Sequence, residues 1–200
     1  MHMAALVHLV RHGEVHNPEH LVYASLPGYG LSDRGRSQAA ASARHLGSQP
    51  VVAVWSSPLE RALETAGIVA RRFGLPVRSD DRLVEWQLMD RWAGKCWESL
   101  NAHFPGELDG YLQHPEHMPF TPETLSDLAS RVRVAVEDLA SRHLEGDIVV
   151  VGHQDPIQAA RLSFSGTALS KLHIDKPAHG SIVSLRPSAG WSELGMWSPD

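Results

Sequence analysis

Arg11, His12, Arg61 and His153 share one kind of placement: each comes just after a short, β-branched-rich apolar run. Leu9-Val10 leads into Arg11-His12-Gly13-Glu14, Val51–Trp55 leads into Ser56-Ser57-Pro58-Leu59-Glu60-Arg61, and Asp147–Val151 leads into Gly152-His153. Guanidinium groups present a planar fork of donors that matches phosphate oxygens and keep their charge at any working pH. A neutral imidazole among such cations can hold a phosphoryl group or attack it to form a covalent intermediate. Its second nitrogen then needs an acceptor, such as a backbone carbonyl, to fix the tautomer. The residues alone leave open whether His12 or His153 attacks. A leaving alkoxide also needs a proton. Glu85, flanked by Val84 and Trp86, is the carboxyl most shielded from water and best able to stay protonated.

These residues converge only if the apolar runs are buried parallel strands. Each run is bounded by turn residues, and the first two precede helical patterns, as in βα units. Open α/β sheets bind ligands at the carboxyl ends of their strands. We place a first strand near 5–10 and then a long polar loop through Asn17, Tyr23, Pro27 and Gly30. Ser32 caps a helix over 33–46 with Ala39, Ala40 and Ala43 on one face. Pro58 is expected at the first position of the next helix, with Leu59, Ala62, Leu63, Ala66, Val69 and Ala70 as its buried stripe. Arg61 and Thr65 share a side of that helix. A short strand is expected near 76–78, a small irregular insertion covering the site at about 86–120, and a helix from Thr121-Pro122-Glu123-Thr124 to about His143. A short helix near 158–164 and a hairpin of 179–185 with 191–196 complete the expected elements. Gly13 is expected to let the backbone approach a ligand.

Composition narrows the function classes. Two hundred residues suit one α/β domain spanning 1–200. A net charge of -5 with no basic stripe argues against a nucleic-acid partner, so a local cationic mouth points to a small anionic ligand. Cys96 is the only cysteine, which excludes an internal disulfide and suggests a reducing, cytoplasmic setting. The stretch Met1–Val10 reads neither as a leader nor as a membrane span. The thirteen histidines show no His-Glu-x-x-His spacing and no Cys/His pairing, so no metal or cofactor is expected.

The motifs together resemble the histidine phosphatase superfamily, which includes the cofactor-dependent phosphoglycerate mutases. The likeness covers nearly the whole chain. It rests on Arg11-His12-Gly13-Glu14, on Asn17, on Leu31-Ser32-Asp33-Arg34-Gly35-Arg36-Ser37-Gln38-Ala39, on Ser57 to Ala66, and on Val150-Val151-Gly152-His153. It implies a three-layer α/β/α fold with a mostly parallel central sheet. It implies His12 as the phosphorylated nucleophile, with Arg11, Arg61, His153 and Asn17 on the phosphoryl oxygens. Glu85 would be the proton donor and then the base that activates water. The pattern departs from the family at Met89, where a glycine is usual, at Trp92-Ala93-Gly94, which comes one residue late, and at Val15, where threonine is common. Asp81, Asp90 and Glu14 therefore stand as alternative acids. The mutases' Tyr-Gly-x-Leu-x-Gly segment and long insertion are absent.

The expected activity is metal-independent hydrolysis of a small phosphorylated metabolite through a phosphohistidine. The alternatives are mutase-type phosphoryl transfer and a non-catalytic phosphate-binding protein. Tyr23, Tyr29, Trp86 and Trp92 are candidates for contact with a ring-bearing alcohol, although packing is the ordinary role of such residues. Arg82, Arg91 and Lys95 read as solvated, with one of them available to a second anionic group. His8, His45, His103, His143 and His173 read as satisfied polar residues. Arg61 has an ion pair with Glu60 or Glu64 as its bland alternative. An exposed sheet edge leaves a homodimer open.

Overall fold

Alternate residues of the central strands belong to different cores, which is what buried parallel strands require. The computed structural model describes residues 4–187 and 190–199. It contains β1 (Val7–Arg11), α1 (Asp33–His45), β2 (Val51–Ser56), α2 (Glu60–Phe73) and β3 (Val77–Ser79). Three short helices follow, α3 (Leu88–Trp92), α4 (Leu100–His103) and α5 (Glu107–Gln113). The chain continues with α6 (Leu125–Ser141), β4 (Asp147–Gly152), α7 (Gln154–Ser165), β5 (Ile182–Arg186) and β6 (Ser192–Trp197).

The six strands form one sheet in the order β3-β2-β4-β1-β5-β6. β3, β2, β4 and β1 are parallel to one another, and β5 and β6 add an antiparallel edge. Val10, Val54, Val149 and Val151 face α1 and α2, while Leu9, Trp55, Ile148 and Val150 join the core shared with α6 and α7. Two helical layers therefore enclose the sheet, as expected for the α/β/α class. The register sets Arg11 opposite Gly152 and Ser56 opposite Val151, so all three functional turns leave the same edge.

Several local expectations change. Ser32 does cap α1, accepting from the Gly35 N–H at 3.0 Å. Pro58, however, precedes α2 instead of opening it: the cap is Leu59, whose N–H reaches Ser57 Oγ at 3.3 Å. The buried face of α2 is Arg61, Ala62, Thr65, Ala66, Val69 and Ala70, whereas Leu63 is exposed and Leu59 half-buried. The helix is rotated because two polar residues, Arg61 and Thr65, are turned inward to serve the strand ends. α7 starts directly after His153, four residues earlier than expected. α6 carries a capping box formed by Thr124 and Asp127.

Segment 86–120 is built of short helices and turns, and the long loop after β1 is stitched to it. Val22 N–H bonds the Lys95 carbonyl at 2.8 Å, Trp97 N–H bonds the His20 carbonyl at 3.0 Å, and Leu21 and Cys96 form an antiparallel bridge. These contacts hold a roof over the ends of the parallel strands. Among the described residues no helix is long and apolar enough to cross a membrane.

Candidate active site

The roof and the strand ends enclose a cavity of about 250 Å³ lined by Arg11, His12, Tyr23, Glu85, Tyr111 and Asp155, among others. His12 is held by backbone on two sides. Its N–H bonds the Gly152 carbonyl at 3.0 Å, and the Gly180 N–H reaches the His12 carbonyl at 3.3 Å. Its ring Nδ1 lies 2.7 Å from the Gly13 carbonyl. That carbonyl can only accept, so Nδ1 carries the proton and Nε2 keeps a free lone pair. Burial holds the His12 pKa well below the ordinary histidine value, and His153, Arg61 and Arg11 push it the same way. The imidazole is therefore neutral.

Gly13 allows a close approach of two backbones: a Cβ there would run into the carbonyl oxygen of Gly35 on α1. Gly13 N–H donates to Thr65 Oγ1 at 3.1 Å, and that hydroxyl donates to the Arg61 carbonyl at 2.8 Å. The nucleophile turn and the Arg61 helix are thereby tied together.

Arg61 is 1% exposed and makes no ion pair with Glu60 or Glu64. Glu60 accepts from Gly28 N–H, and Glu64 pairs with Arg36 at 3.2 Å. Arg61 donates to the Ala24 carbonyl at 2.9 Å and lies over the Tyr23 ring at 4.7 Å. Arg11 donates to the Pro177 carbonyl at 3.0 Å and lies 2.8 Å from His179 Nε2. A guanidinium can only donate, so His179 accepts there and is neutral; burial and the Arg11 charge hold its pKa at about 3. Burial lowers the pKa of both guanidiniums, yet they remain cations.

His153 is fully buried, with its ring 5.2 Å from that of His12. Its Nε2 lies 2.8 Å from Ser57 Oγ, and Nδ1 lies 3.8 Å from Glu85 Oε2. Ser57 Oγ accepts from Leu59 N–H, and its own proton has no acceptor other than His153 Nε2 among the described residues. Donation to Nε2 leaves the imidazole proton on Nδ1. Four buried side-chain polar atoms lack a protein partner among the described residues, and three of them, Arg11 Nε, Arg61 Nε and His153 Nδ1, belong to this one cluster. Unpaired buried donors are costly, and three at one cationic cluster define a place for an oxyanion.

Glu85 borders the same cavity at 17% side-chain exposure, with Oε1 accepting from the Trp86 N–H at 2.9 Å. Burial raises its pKa to about 7, and the nearby Asp155 pushes in the same direction against Arg61. The alternative acids lie elsewhere. Asp90 bonds Ser25 at 2.6 Å, Glu14 bonds Ser32 at 2.8 Å, and Asp81 sits in a turn outside the cavity lining.

Asn17 lines a neighbouring hollow with Tyr23 and His179; its amide donates one hydrogen to the Leu21 carbonyl at 2.9 Å and its oxygen accepts from Leu21 N–H at 3.1 Å. It therefore shapes the loop. Trp86 and Trp92 are fully buried, donating to the Glu123 carbonyl and the Glu107 carboxylate. Trp97 lines the cavity in their place, and Tyr29 stacks on Tyr23 from outside it. Arg82 pairs with Asp80 and Asp138, and Arg91 pairs with Glu107, so neither is a free cation. Besides Arg11, Lys176 lines the cavity as a further cation. His179, Ser57, Tyr111, Asp155 and Lys176 escaped sequence reasoning. Only Ser57 and Asp155 carried a signal, through their positions beside the strand ends. Among the described residues no group of three His, Cys, Asp or Glu is placed to hold a metal ion.

A neutral imidazole with a free Nε2, two fixed guanidiniums and a carboxyl of raised pKa at the mouth of an α/β sheet are the groups a phosphoryl-transfer enzyme needs. The family model of the histidine phosphatase superfamily (branch 1) matches residues 7–198, and the chain belongs to that superfamily. Its enzyme class is phosphatase. The chain is 39% identical over 171 residues to an uncharacterised Mycobacterium tuberculosis protein, covering 82% of this chain and 80% of that one. It is 32% identical over 165 residues to phosphoserine phosphatase 1 of Hydrogenobacter thermophilus, covering 82% and 77%. In fold it matches a mycobacterial glucosyl-3-phosphoglycerate phosphatase in complex with VO3, with a TM-score of 0.86 and 28% identity, covering 98% of this chain and all of that one.

Proposed function

We propose that the protein hydrolyses the phosphate monoester of a small metabolite in two steps, through a phosphohistidine on His12 and without a metal. The observation that carries this reading is the His12 Nδ1 bond to the Gly13 carbonyl at 2.7 Å, which leaves Nε2 free beside three unpaired donors. Arg11, Arg61 and His153 hold the equatorial oxygens, and the two guanidinium charges offset the charge that develops there. Nε2 attacks phosphorus, the P–O bond to the alcohol breaks, and the Glu85 carboxyl gives its proton to the leaving oxygen. The resulting carboxylate then takes a proton from water as that water attacks phosphorus. The P–N bond breaks, and Glu85 returns to its acid form. His179 accepts from Arg11 and thereby orients the guanidinium, while Asn17 acts on the loop that carries Tyr23.

The test is phosphate release from p-nitrophenyl phosphate with EDTA present, for the wild type beside His12→Ala. Turnover that survives EDTA and disappears in the variant supports this reading. Turnover abolished by EDTA overturns it.

A further inference from the structure

The cavity that holds Arg11, His12 and Glu85 is also lined by Asp155 and Lys176, two opposite charges that touch no reacting atom in the steps above. Asp155 is 3% exposed. Its Oδ2 accepts from the Tyr111 hydroxyl at 2.8 Å, and no protein group bonds its Oδ1, which is not sealed from the cavity. A place in the first turn of α7 suits an acid in general, but does not require one turned into a cavity and buried. The position is held firmly. The Tyr111 ring packs edge-on to His173 at 4.5 Å and to Trp92 at 5.6 Å, and its carbonyl accepts from His173 Nε2 at 2.7 Å. Burial raises the Asp155 pKa, while the Tyr111 hydrogen bond and, less strongly, His173, Lys176 and Arg11 act against that rise. Lys176 borders the same cavity, is exposed, and has no ion-pair partner within 4 Å among the described residues. Tyr23, Met89, Trp97 and Leu112 supply the apolar wall near them.

A buried carboxylate with a free oxygen is best satisfied by a cation that also donates a hydrogen bond. A lysine at the rim of the same cavity suits an anion. Resting on the phosphatase reading above, we propose that Asp155 and Lys176 form the leaving-group subsite. The substrate alcohol then carries an ammonium held by Asp155 and a carboxylate held by Lys176. That chemistry is an O-phosphorylated hydroxy-amino acid. A cavity of about 250 Å³ suits a molecule of that size.

The experiment compares kcat/KM for O-phosphoserine, phosphoethanolamine, 3-phosphoglycerate and glycerol phosphate, with p-nitrophenyl phosphate as reference, in the wild type, Asp155→Asn and Lys176→Met. The wild type should prefer phosphoserine to glycerol phosphate by about 10²-fold or more, because a site built around polar groups rejects ligands that leave them unpaired. In Asp155→Asn the ratio of phosphoserine to glycerol phosphate, two esters of poor leaving alcohols that need Glu85 alike, should fall at least about tenfold, and phosphoethanolamine should fall with phosphoserine. Lys176→Met should lower phosphoserine and 3-phosphoglycerate relative to phosphoethanolamine. Wild-type use of glycerol phosphate as readily as phosphoserine overturns the subsite, whatever the variants do. So does a loss in Asp155→Asn that is equal across the four alkyl esters, which is what an effect on Glu85 alone would give. Failure of the wild type to turn over any of the five counts against the phosphatase reading itself.

Discussion

The Nδ1 atom of His12 lies 2.7 Å from the carbonyl oxygen of the adjacent residue, Gly13, and this contact decides which ring nitrogen can react. The acceptor belongs to the next peptide and cannot drift away, so the tautomer is fixed before any ligand arrives. Gly13 is fixed in turn by Thr65 and by its close approach to Gly35. The proposed nucleophile is thus oriented by backbone, whereas the proposed oxyanion clamp is made of side chains.

His12→Ala should lower kcat by about 10⁴-fold or more, the scale on which loss of a covalent nucleophile is felt. Rapid acid-free quenching of the wild type with radiolabelled substrate should trap a protein-bound label that is stable in base and labile in acid. A label that persists in His12→Ala would move the nucleophile elsewhere.

Glu85 should set the basic limb of the pH profile. Its folded pKa of about 7 keeps the carboxyl protonated in mildly acidic solution, so kcat/KM should fall as pH rises past about 7, giving a mildly acidic optimum. Glu85→Gln should lose about 10²- to 10⁴-fold and become flat across that limb when the leaving alcohol is poor. A wild-type profile level to pH 9 would remove Glu85 from the role.

The same shift has a consequence for stability. Glu85 has a raised folded pKa, so its contribution is complete below the unfolded value near 4.5 and is lost as pH rises through about 7. Ionising it in the empty protein costs on the order of 3 kcal/mol at alkaline pH. Glu85→Gln does not bear that cost. Its melting temperature should therefore gain on the wild type between pH 5 and pH 8, and a gap that stays constant would contradict the burial argument.

Arg61→Ala should weaken phosphate binding and lower kcat by about 10²- to 10³-fold, as for the loss of one oxyanion donor. Arg61→Lys should rescue little, since a point charge cannot reproduce the planar fork that also reaches the Ala24 carbonyl. Isothermal titration with inorganic phosphate checks the affinity in each variant.

Gly13→Ala should destabilise the fold by about 1–3 kcal/mol, the usual cost of forcing a group into packed atoms. The new Cβ meets the Gly35 carbonyl, which α1 cannot easily yield. Chemical denaturation checks this, and an unchanged midpoint would mean that α1 can shift.

Much of the fold was legible from period and punctuation. The three apolar runs are strands, Ser32 is a cap, and the terminal hairpin lies within three residues of its expected place. The errors have a common cause. Leu59 and Leu63 were expected to be buried because they are apolar, but α2 turns Arg61 and Thr65 inward in their stead. Tertiary demand at the site outweighs local amphipathic pattern. Asn17 was assigned to the phosphate through the family resemblance; its amide donates one hydrogen to Leu21 and keeps a second.

The sequence by itself determined the strand ends that carry Arg11, His12 and His153, and the helix that carries Arg61, because short-range pattern encodes strands, caps and helical spacing. It also identified Glu85, through its apolar neighbours. Only the tertiary structure decided that His179 receives Arg11, that Ser57 sets the His153 proton, and that Asp155 and Lys176 share the cavity with Glu85. Those partners are far apart in the chain: 168 residues separate Arg11 from His179, and 96 separate Ser57 from His153. No periodicity records such pairings. They arise when the packed sheet and its roof bring distant turns to one edge.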